Sequence, residues 1–473
     1  MRKKSWRRAL EACAFLLLLG AVLAGVSGLL ERKSSRNLYG GFFEAPQDYD
    51  VLFLGNSQFM NAVSPMDMWA DYGIAGYNLS SYGASIPVAY WTMVNALDAA
   101  QPDLVVLAVY GMHIPYKVPD YSAYLHMALD CFPLTVNKVR AMDDLLDDPE
   151  APNLRDKEGN LYREMKEEFL FPLVKYHSRW SKLTAEDFAQ RPAYVKGGEL
   201  MVGVQSIWDY ALVDQEDYGE ESGYAYEYLR RMIEECQRRQ IDILLVHLPN
   251  PNFINSQRHA NTVRSIAGEY GVDFVDFTYL DSIVDYAVDC YDLDPHLNVS
   301  GTLKMTDFLG SYIRERYQLP DHRGKAAYAH WNDQLDAHQD EKRRMLAGEE
   351  KLNNALMLLH DPDYDVTLAL FPPSPVYGDD QAIVLMHNLA REHVLAGEEY
   401  DKASSVMFPL PGFDEALANE QPYYLNREGK AVTEYTGDRA EQAALETFGE
   451  RGESTLLIRA VDRRSGIAVQ LRY

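Results

Sequence analysis

The sequence predicts an α/β protein: a five-stranded parallel sheet with helices on both faces, carried behind an N-terminal transmembrane helix and followed by a small C-terminal α/β domain. Three observations predict it. Short apolar runs bounded by turn residues recur along the chain, the pattern of parallel strands buried on both faces. Helical stretches alternate with them, which calls for βαβ crossovers. A basic head is followed by an unbroken apolar segment. The 473 residues, 47% hydrophobic, provide for more than one core. A net charge of −26 leaves no basic footprint for a phosphate backbone, which excludes nucleic acid as a partner.

Residues 1–36 are the cytoplasmic basic tip and anchor. Eight basic residues there face only Glu11 and Glu31, a net +6, and Ala12 to Leu30 is a run of 19 uncharged, mostly apolar residues. That length crosses a bilayer core. Five basic residues precede the run and three follow. This bias places the N-terminus in the cytoplasm and the rest outside, as a single-pass protein of the cell membrane. Val26-Ser27-Gly28 is a poor cleavage site, which favours an uncleaved signal anchor over a signal peptide. Cys13 lies in the anchor. Cys131, Cys236 and Cys290 lack metal-type spacing and allow at most one disulfide, with Cys236 packing as a small hydrophobe.

Residues 37–329 hold the main domain, after a polar linker at Lys33 to Asn37. Strands are expected at Val51–Leu54, Tyr77–Leu79, Leu104–Tyr110, Ile241–Leu248 and Val272–Phe277. Ser64-Pro65 reads as an N-cap with Pro at N1, opening a helix to Tyr72. Further helices are expected at Pro87–Ala99, Tyr224–Arg239, Asn255–Tyr270 and Ser300–Tyr317. The insertion at about 112–222 is too long for a crossover. It reads either as a lid or substrate-recognition element over the carboxyl ends of the strands or as a peripheral subdomain. Residues 330–473 read as a separate small domain: a charged helical run from Asp333 to His360, a strand at Val366–Phe371, a helix near Gln381–Ala390, and strands at Ser454–Val461 and Gly466–Arg472. Asp462 to Gly466 makes the last hairpin turn.

The chemistry concentrates in two places. VLFLGNSQ ends a buried strand at Gly55 and delivers Ser57 to the turn before a helix, where a nucleophile belongs. In CYDLDPHLNVSG, His296 stands in a loop with Asp292 and Asp294 upstream and a helix opening behind it. A histidine and an acid here complete a relay to Ser57. His113, His126, His177 and His247 read as structural. The run Met142 to Glu150 lacks the spacing of a calcium loop and reads as a solvated acidic face. No cofactor and no metal are expected.

With these blocks the chain resembles the SGNH (GDSL-like) hydrolase superfamily over residues 48–317. Gly55-Asn56-Ser57 looks like the family's first block, Asn78 to Gly83 like the second, and Asp292 to Gly301 like the last. The anchor and insertion further resemble the membrane-tethered branch of the Dlt D-alanylation and alginate O-acetylation proteins. The resemblance implies a flavodoxin-like three-layer α/β/α fold and an esterase or O-acyltransferase of the cell envelope. Its substrate would be a surface polysaccharide or wall polymer, and its partner a multi-pass membrane O-acyltransferase. It implies Ser57 as nucleophile, His296 as base, Asp294 in preference to Asp292 as the orienting acid, and the amides of Ser57 and Gly83 as oxyanion donors. Two departures stand out. The family's third-block Asn is missing at Val109-Tyr110-Gly111, leaving Tyr110, His113 or a lid residue to replace it, and position 293 is Leu where the family has Asp. Losing one oxyanion donor costs about 10²–10³ in turnover. The alternative is therefore a weak or inactive SGNH-like scaffold that binds glycan or serves assembly.

Overall fold

The computed structural model describes residues 2–31, 39, 41–44, 49–188, 195–207, 211–248, 254–280, 283–390 and 410–473. The chain opens with helix α1 (Arg2–Leu30), whose Leu10–Leu30 segment is long and apolar enough to span a membrane. Its 21 residues rise about 31 Å, the thickness of a bilayer core. The linker expected at 33–37 lies outside the described residues.

The next elements in order are β1 (Val51–Leu54), α2 (Ser57–Met60), α3 (Pro65–Tyr72), β2 (Gly76–Asn78), α4 (Ile86–Ala99) and β3 (Leu104–Ala108). The insertion supplies α5 (Ser122–Leu129) and α6 (Val136–Leu146). Then come α7 (Tyr224–Arg239), β4 (Asp242–His247), α8 (Ile254–Tyr270), β5 (Asp273–Asp276) and α9 (Val299–Tyr317). The strands lie in the order β2-β1-β3-β4-β5, and every pairing is parallel. This is a doubly wound sheet, whose order reverses beside β1.

Every residue of β1 and β3 is buried, because alternate side chains enter two different cores. Leu52, Leu54, Val105 and Leu107 pack with α4 and α7. Val51, Phe53, Leu104 and Val106 pack with Met68 of α3 and with Met305 and Phe308 of α9.

The insertion joins the first of these cores through Leu125, Leu129, Met142, Leu145 and Phe169. Its acidic run is solvated only in part: Asp143, Asp147 and Glu150 are exposed, while Asp148 is buried and Asp144 turns inward. Asp144 accepts from Trp91 Nε1 at 2.6 Å, from Lys117 Nζ at 2.9 Å and from the Tyr228 hydroxyl. Burial opposes ionisation there, but these donors hold the carboxyl below its ordinary range. All four cysteines are free thiols, so the one allowed disulfide does not form, and buried Cys236 packs on Met93.

After α10 (Ala329–Ala347), the C-terminal strands β6 (Tyr364–Leu370), β7 (Tyr423–Glu428), β8 (Ala431–Thr436), β9 (Leu456–Asp462) and β10 (Ala468–Arg472) form a second sheet, ordered β10-β9-β6-β7-β8. All its pairings are antiparallel. The expected α/β domain is therefore an α+β one. The boundary expected between 329 and 330 falls at the start of α10, a helix that serves both units. Trp331 stacks on Trp69 at 5.0 Å in the first unit. Further along, Lys342 Nζ lies 2.9 Å from Asp67 in α3 and 2.8 Å from Asp361 just before β6.

This buried ionic centre gives the largest stability prediction. Lys342→Met leaves two buried carboxylates without their cation and is expected to destabilise the protein by about 3–5 kcal/mol, read from urea unfolding. An equally stable variant would show that the two units are held by packing alone.

A pH dependence follows from His360. Burial, with the nearby Lys304 ammonium adding, pushes its pKa down to about 3. Its Nε2 faces the Leu385 carbonyl at 2.9 Å and its Nδ1 the Ser300 hydroxyl at 3.0 Å. The unfolded chain takes up a proton near pH 6.5 while the folded one does not, so stability is complete above pH 6.5. It falls by up to about 1.4 kcal/mol per pH unit on acidification toward pH 3. Asp67, which Lys342 and His338 hold well below its usual range against the opposing effect of burial, adds a further loss below about pH 4. Asp71, which burial and the neighbouring Asp363 push up to about 7, takes up its proton earlier in the folded chain and so contributes the opposite slope between pH 7 and 4. The His360 contribution is therefore read by difference, and an identical pH dependence of the unfolding midpoint in the native chain and in His360→Gln would contradict it.

Candidate active site

Ser57 stands at the carboxyl end of β1, beside the point where strand order reverses. Gly55 makes the turn possible: a Cβ there would lie 2.9 Å from both Ala108 and Phe59 Cβ, so only glycine lets β1 hand over to α2 against β3. Asn56 then caps α2, its side-chain oxygen accepting from Gln58 N at 3.2 Å. Capping gives Asn56 a local role and leaves the Ser57 N–H in the helix's first turn, where no intrahelical acceptor exists.

The histidine comes from the loop between β5 and α9. Cys290 and Leu297 bridge across its neck, Tyr291 N donates to His296 O at 2.7 Å, and Asn298 N donates to Asp289 O at 3.0 Å. The loop therefore closes on itself. His296 Nε2 lies 2.8 Å from Ser57 Oγ, and Nδ1 lies 2.8 and 3.0 Å from the two oxygens of Asp292. With the Nδ1 proton given to Asp292, Nε2 is left as the acceptor for the serine hydroxyl. The His296 side chain is 20% exposed and Asp292 39%, so the line opens to solvent at its acid end.

Here the structure corrects the choice of acid. Asp292, not Asp294, contacts the imidazole. Its Oδ1 also accepts the backbone N–H of Asp294 at 3.0 Å and of His296 at 3.2 Å, an Asx-type turn that draws this carboxylate inside the loop. Asp294 is exposed, and what it contributes is its carbonyl, which accepts from Gln58 Nε2 at 3.0 Å. Gln58, adjacent to the nucleophile, thus ties the histidine loop to α2, a role that sequence reading missed and that its position beside Ser57 alone signals.

Gly83 sits in the turn after β2 with φ +60°, a left-handed conformation that favours glycine. A Cβ there would meet the Tyr124 ring of α5 at 2.7 Å. The second block's Asn78 is buried scaffolding, donating to Phe59 O at 3.1 Å and Val63 O at 3.2 Å. Tyr110 is half-buried just past β3, before a turn at Gly111. His113 faces His259, ring centroids 6.0 Å apart, and burial lowers its pKa. His126 pairs with Asp130 at 2.9 Å and stacks on Phe169.

The insertion's residues 195–207 run between the two halves of the site. Glu199 N donates to Met60 O at 3.3 Å, while Asn298 Nδ2 reaches Gly203 O at 2.9 Å and Gln205 N reaches Cys290 O at 2.9 Å. This stretch straps the histidine loop against α2, as an element placed over the strand ends would.

A second Ser–His–Asp line lies elsewhere on the same sheet edge. His247 Nε2 is 3.1 Å from Ser256 Oγ, and Nδ1 is 3.0 Å from Asp276. Ser256 is 4% exposed and His247 1%, so this line has no room for an ester and serves to pin α8 to β4 and β5.

Among the described residues no group of His, Cys, Asp or Glu is arranged to hold a metal ion. Compared with known proteins, the chain matches no protein-family model and no curated relative.

Proposed function

We propose that the protein is a membrane-anchored, extracytoplasmic serine acyl-transfer enzyme of SGNH type, an O-acyltransferase or esterase acting on cell-surface glycans or wall polymers. The observation that carries this reading is the Ser57–His296–Asp292 line at the carboxyl end of β1, with hydrogen bonds of 2.8 Å on both sides of the imidazole. His296 Nε2 takes the hydroxyl proton as Ser57 Oγ attacks the acyl carbonyl carbon, and returns it to the departing alkoxide. The oxyanion is assigned to the Ser57 and Gly83 amides, with Tyr110 as the third donor in place of the missing Asn. The acyl-Ser57 ester is then resolved by water or by a sugar hydroxyl. An anchor that holds the site near the membrane suits a lipid-side donor or a multi-pass membrane acyltransferase, and so favours transfer.

The test is turnover of p-nitrophenyl acetate by the full chain in detergent, with and without a hydroxyl-rich oligosaccharide. Faster release of nitrophenol together with acetylated sugar supports the transferase, and acetate alone the esterase. No turnover by folded protein would overturn the enzyme reading in favour of a non-catalytic glycan-binding or assembly scaffold, the reading that Val109-Tyr110-Gly111 without Asn favours.

A further inference from the structure

The last turns of α1 do not stand clear of the folded unit. Arg179 Nη1 donates to Leu30 O at 2.5 Å and to Glu31 O at 2.6 Å, closing the helix's C-terminal carbonyls, and its Nη2 pairs with Asp187 at 2.8 Å. The anchor is thus clamped to the insertion.

Between them lies a cavity of about 660 Å³ with a mostly apolar lining. Leu23, Ala24 and Ser27 of α1 form one wall, and Leu134, Phe171 and Val174 of the insertion the other. Leu23 and Ser27 precede the end of α1 at Leu30 by seven and three residues, or about 10 and 5 Å along the axis. At that depth the medium around a membrane-spanning α1 is acyl chain.

The insertion's surface continues the same character. Trp180 is 72% exposed, Phe188 67% and Phe171 54%. Residues 171–188 carry Lys175, Arg179 and Lys182 against Glu186 and Asp187, a net +1 in a chain whose net charge is −26, with Lys175 paired to Glu168 and Arg179 to Asp187. Exposed aromatics on a segment without the chain's acidic excess suit the headgroup boundary of a bilayer.

We infer that residues 171–188 form a second membrane contact on the outer leaflet, and that the cavity between this segment and α1 seats one acyl chain of a bilayer lipid. The inference rests on α1 spanning the membrane and not on the chemistry at Ser57. It also bears on that chemistry. Tyr124, at the start of α5, abuts Gly83 of the candidate site, while Asp130 and Phe132, just past the end of α5, line the cavity. Six residues of helix, about 9 Å, separate the two places. A lipid held here would be an immediate neighbour of the site.

The experiment is photolabelling of the full chain, reconstituted in phosphatidylcholine–phosphatidylglycerol vesicles containing a phosphatidylcholine with a diazirine in its acyl chain. Labelled residues are mapped by peptide mass spectrometry. Adducts are expected in residues 10–30 and also at Leu134, Phe171 or Val174. The double variant Phe171→Glu/Trp180→Glu changes only exposed positions. It is expected to cut labelling at Leu134 and Val174 at least fivefold while leaving labelling in α1 and ester turnover unchanged. Label confined to α1 would overturn the inference, since the cavity would then be closed to lipid, as when a second copy or another helix fills it. Absence of label from α1 as well would overturn it together with the membrane-spanning reading of that helix. Neither result touches the acyl-serine proposal, which turnover tests separately.

Discussion

Ser57→Ala and His296→Ala are each expected to lower ester turnover by about 10⁴- to 10⁶-fold, while Ser256→Ala leaves it unchanged. In the proposed mechanism Ser57 and His296 act as one unit, since the hydroxyl is a nucleophile only while Nε2 takes its proton, so losing either would remove nearly all the acceleration the pair supplies. Both side chains reach solvent, and their alanine variants leave the loop's backbone hydrogen bonds in place. Ser256 has the same partners at similar distances, 3.1 Å to His247 and 3.0 Å on to Asp276. What it lacks is access, being 4% exposed. The comparison therefore separates geometry alone from geometry with room for substrate. Turnover that survives Ser57→Ala and disappears in Ser256→Ala would move the active site to β4.

The second large effect concerns the acid. Asp292→Asn is expected to reduce turnover by about 10³-fold, and Asp294→Asn by less than about threefold. An asparagine at 292 can still accept the amides of residues 294 and 296 through its oxygen, so the loop keeps its shape. Its NH₂ group, turned to His296, no longer favours the proton on Nδ1, and Nε2 is lost as a base in much of the population. The partial exposure of Asp292 places the effect below that of a sealed triad, because water screens part of its charge. Equal losses in the two variants would mean that the loop rearranges in solution and that Asp294 takes over.

Gln58→Leu provides a milder check on the same geometry. It removes the 3.0 Å bond to Asp294 O that holds the histidine loop on α2. A fall in kcat of about tenfold is expected, with KM for p-nitrophenyl acetate little changed, because Gln58 is 4% exposed and acts through the loop that carries His296. A rise in KM alone would assign it to the binding surface.

The main sheet was legible in the sequence because β1 and β3 are buried on both faces, and such strands have no polar alternation to confuse them with surface helices. Ser57 could be found for a related reason: a buried strand that stops at glycine marks a sheet's carboxyl edge. The acid could not be chosen, because two aspartates flank the same turn and the choice depends on which one the amides of residues 294 and 296 draw inward. The hairpin β7–β8 escapes a reading of the sequence because its strands, YYLNRE and AVTEYT, mix charged with β-forming residues instead of making an apolar run. Asp144 looks solvent-facing in sequence because its three donors come from residues 91, 117 and 228, separations that no local pattern records. That α10 serves both units is not legible, because a helix with Trp331 in one core and Lys342 between two buried carboxylates looks, in sequence, like any charged surface helix.

The most direct test of the central claim is labelling of the full-length protein in detergent with a fluorophosphonate, which phosphonylates an activated serine, followed by peptide mapping. One adduct is expected, on Ser57, formed at least a hundredfold more slowly in His296→Ala. Folded protein that takes no label, or takes it at Ser256 or any other serine, would contradict the assignment of Ser57 as an activated nucleophile.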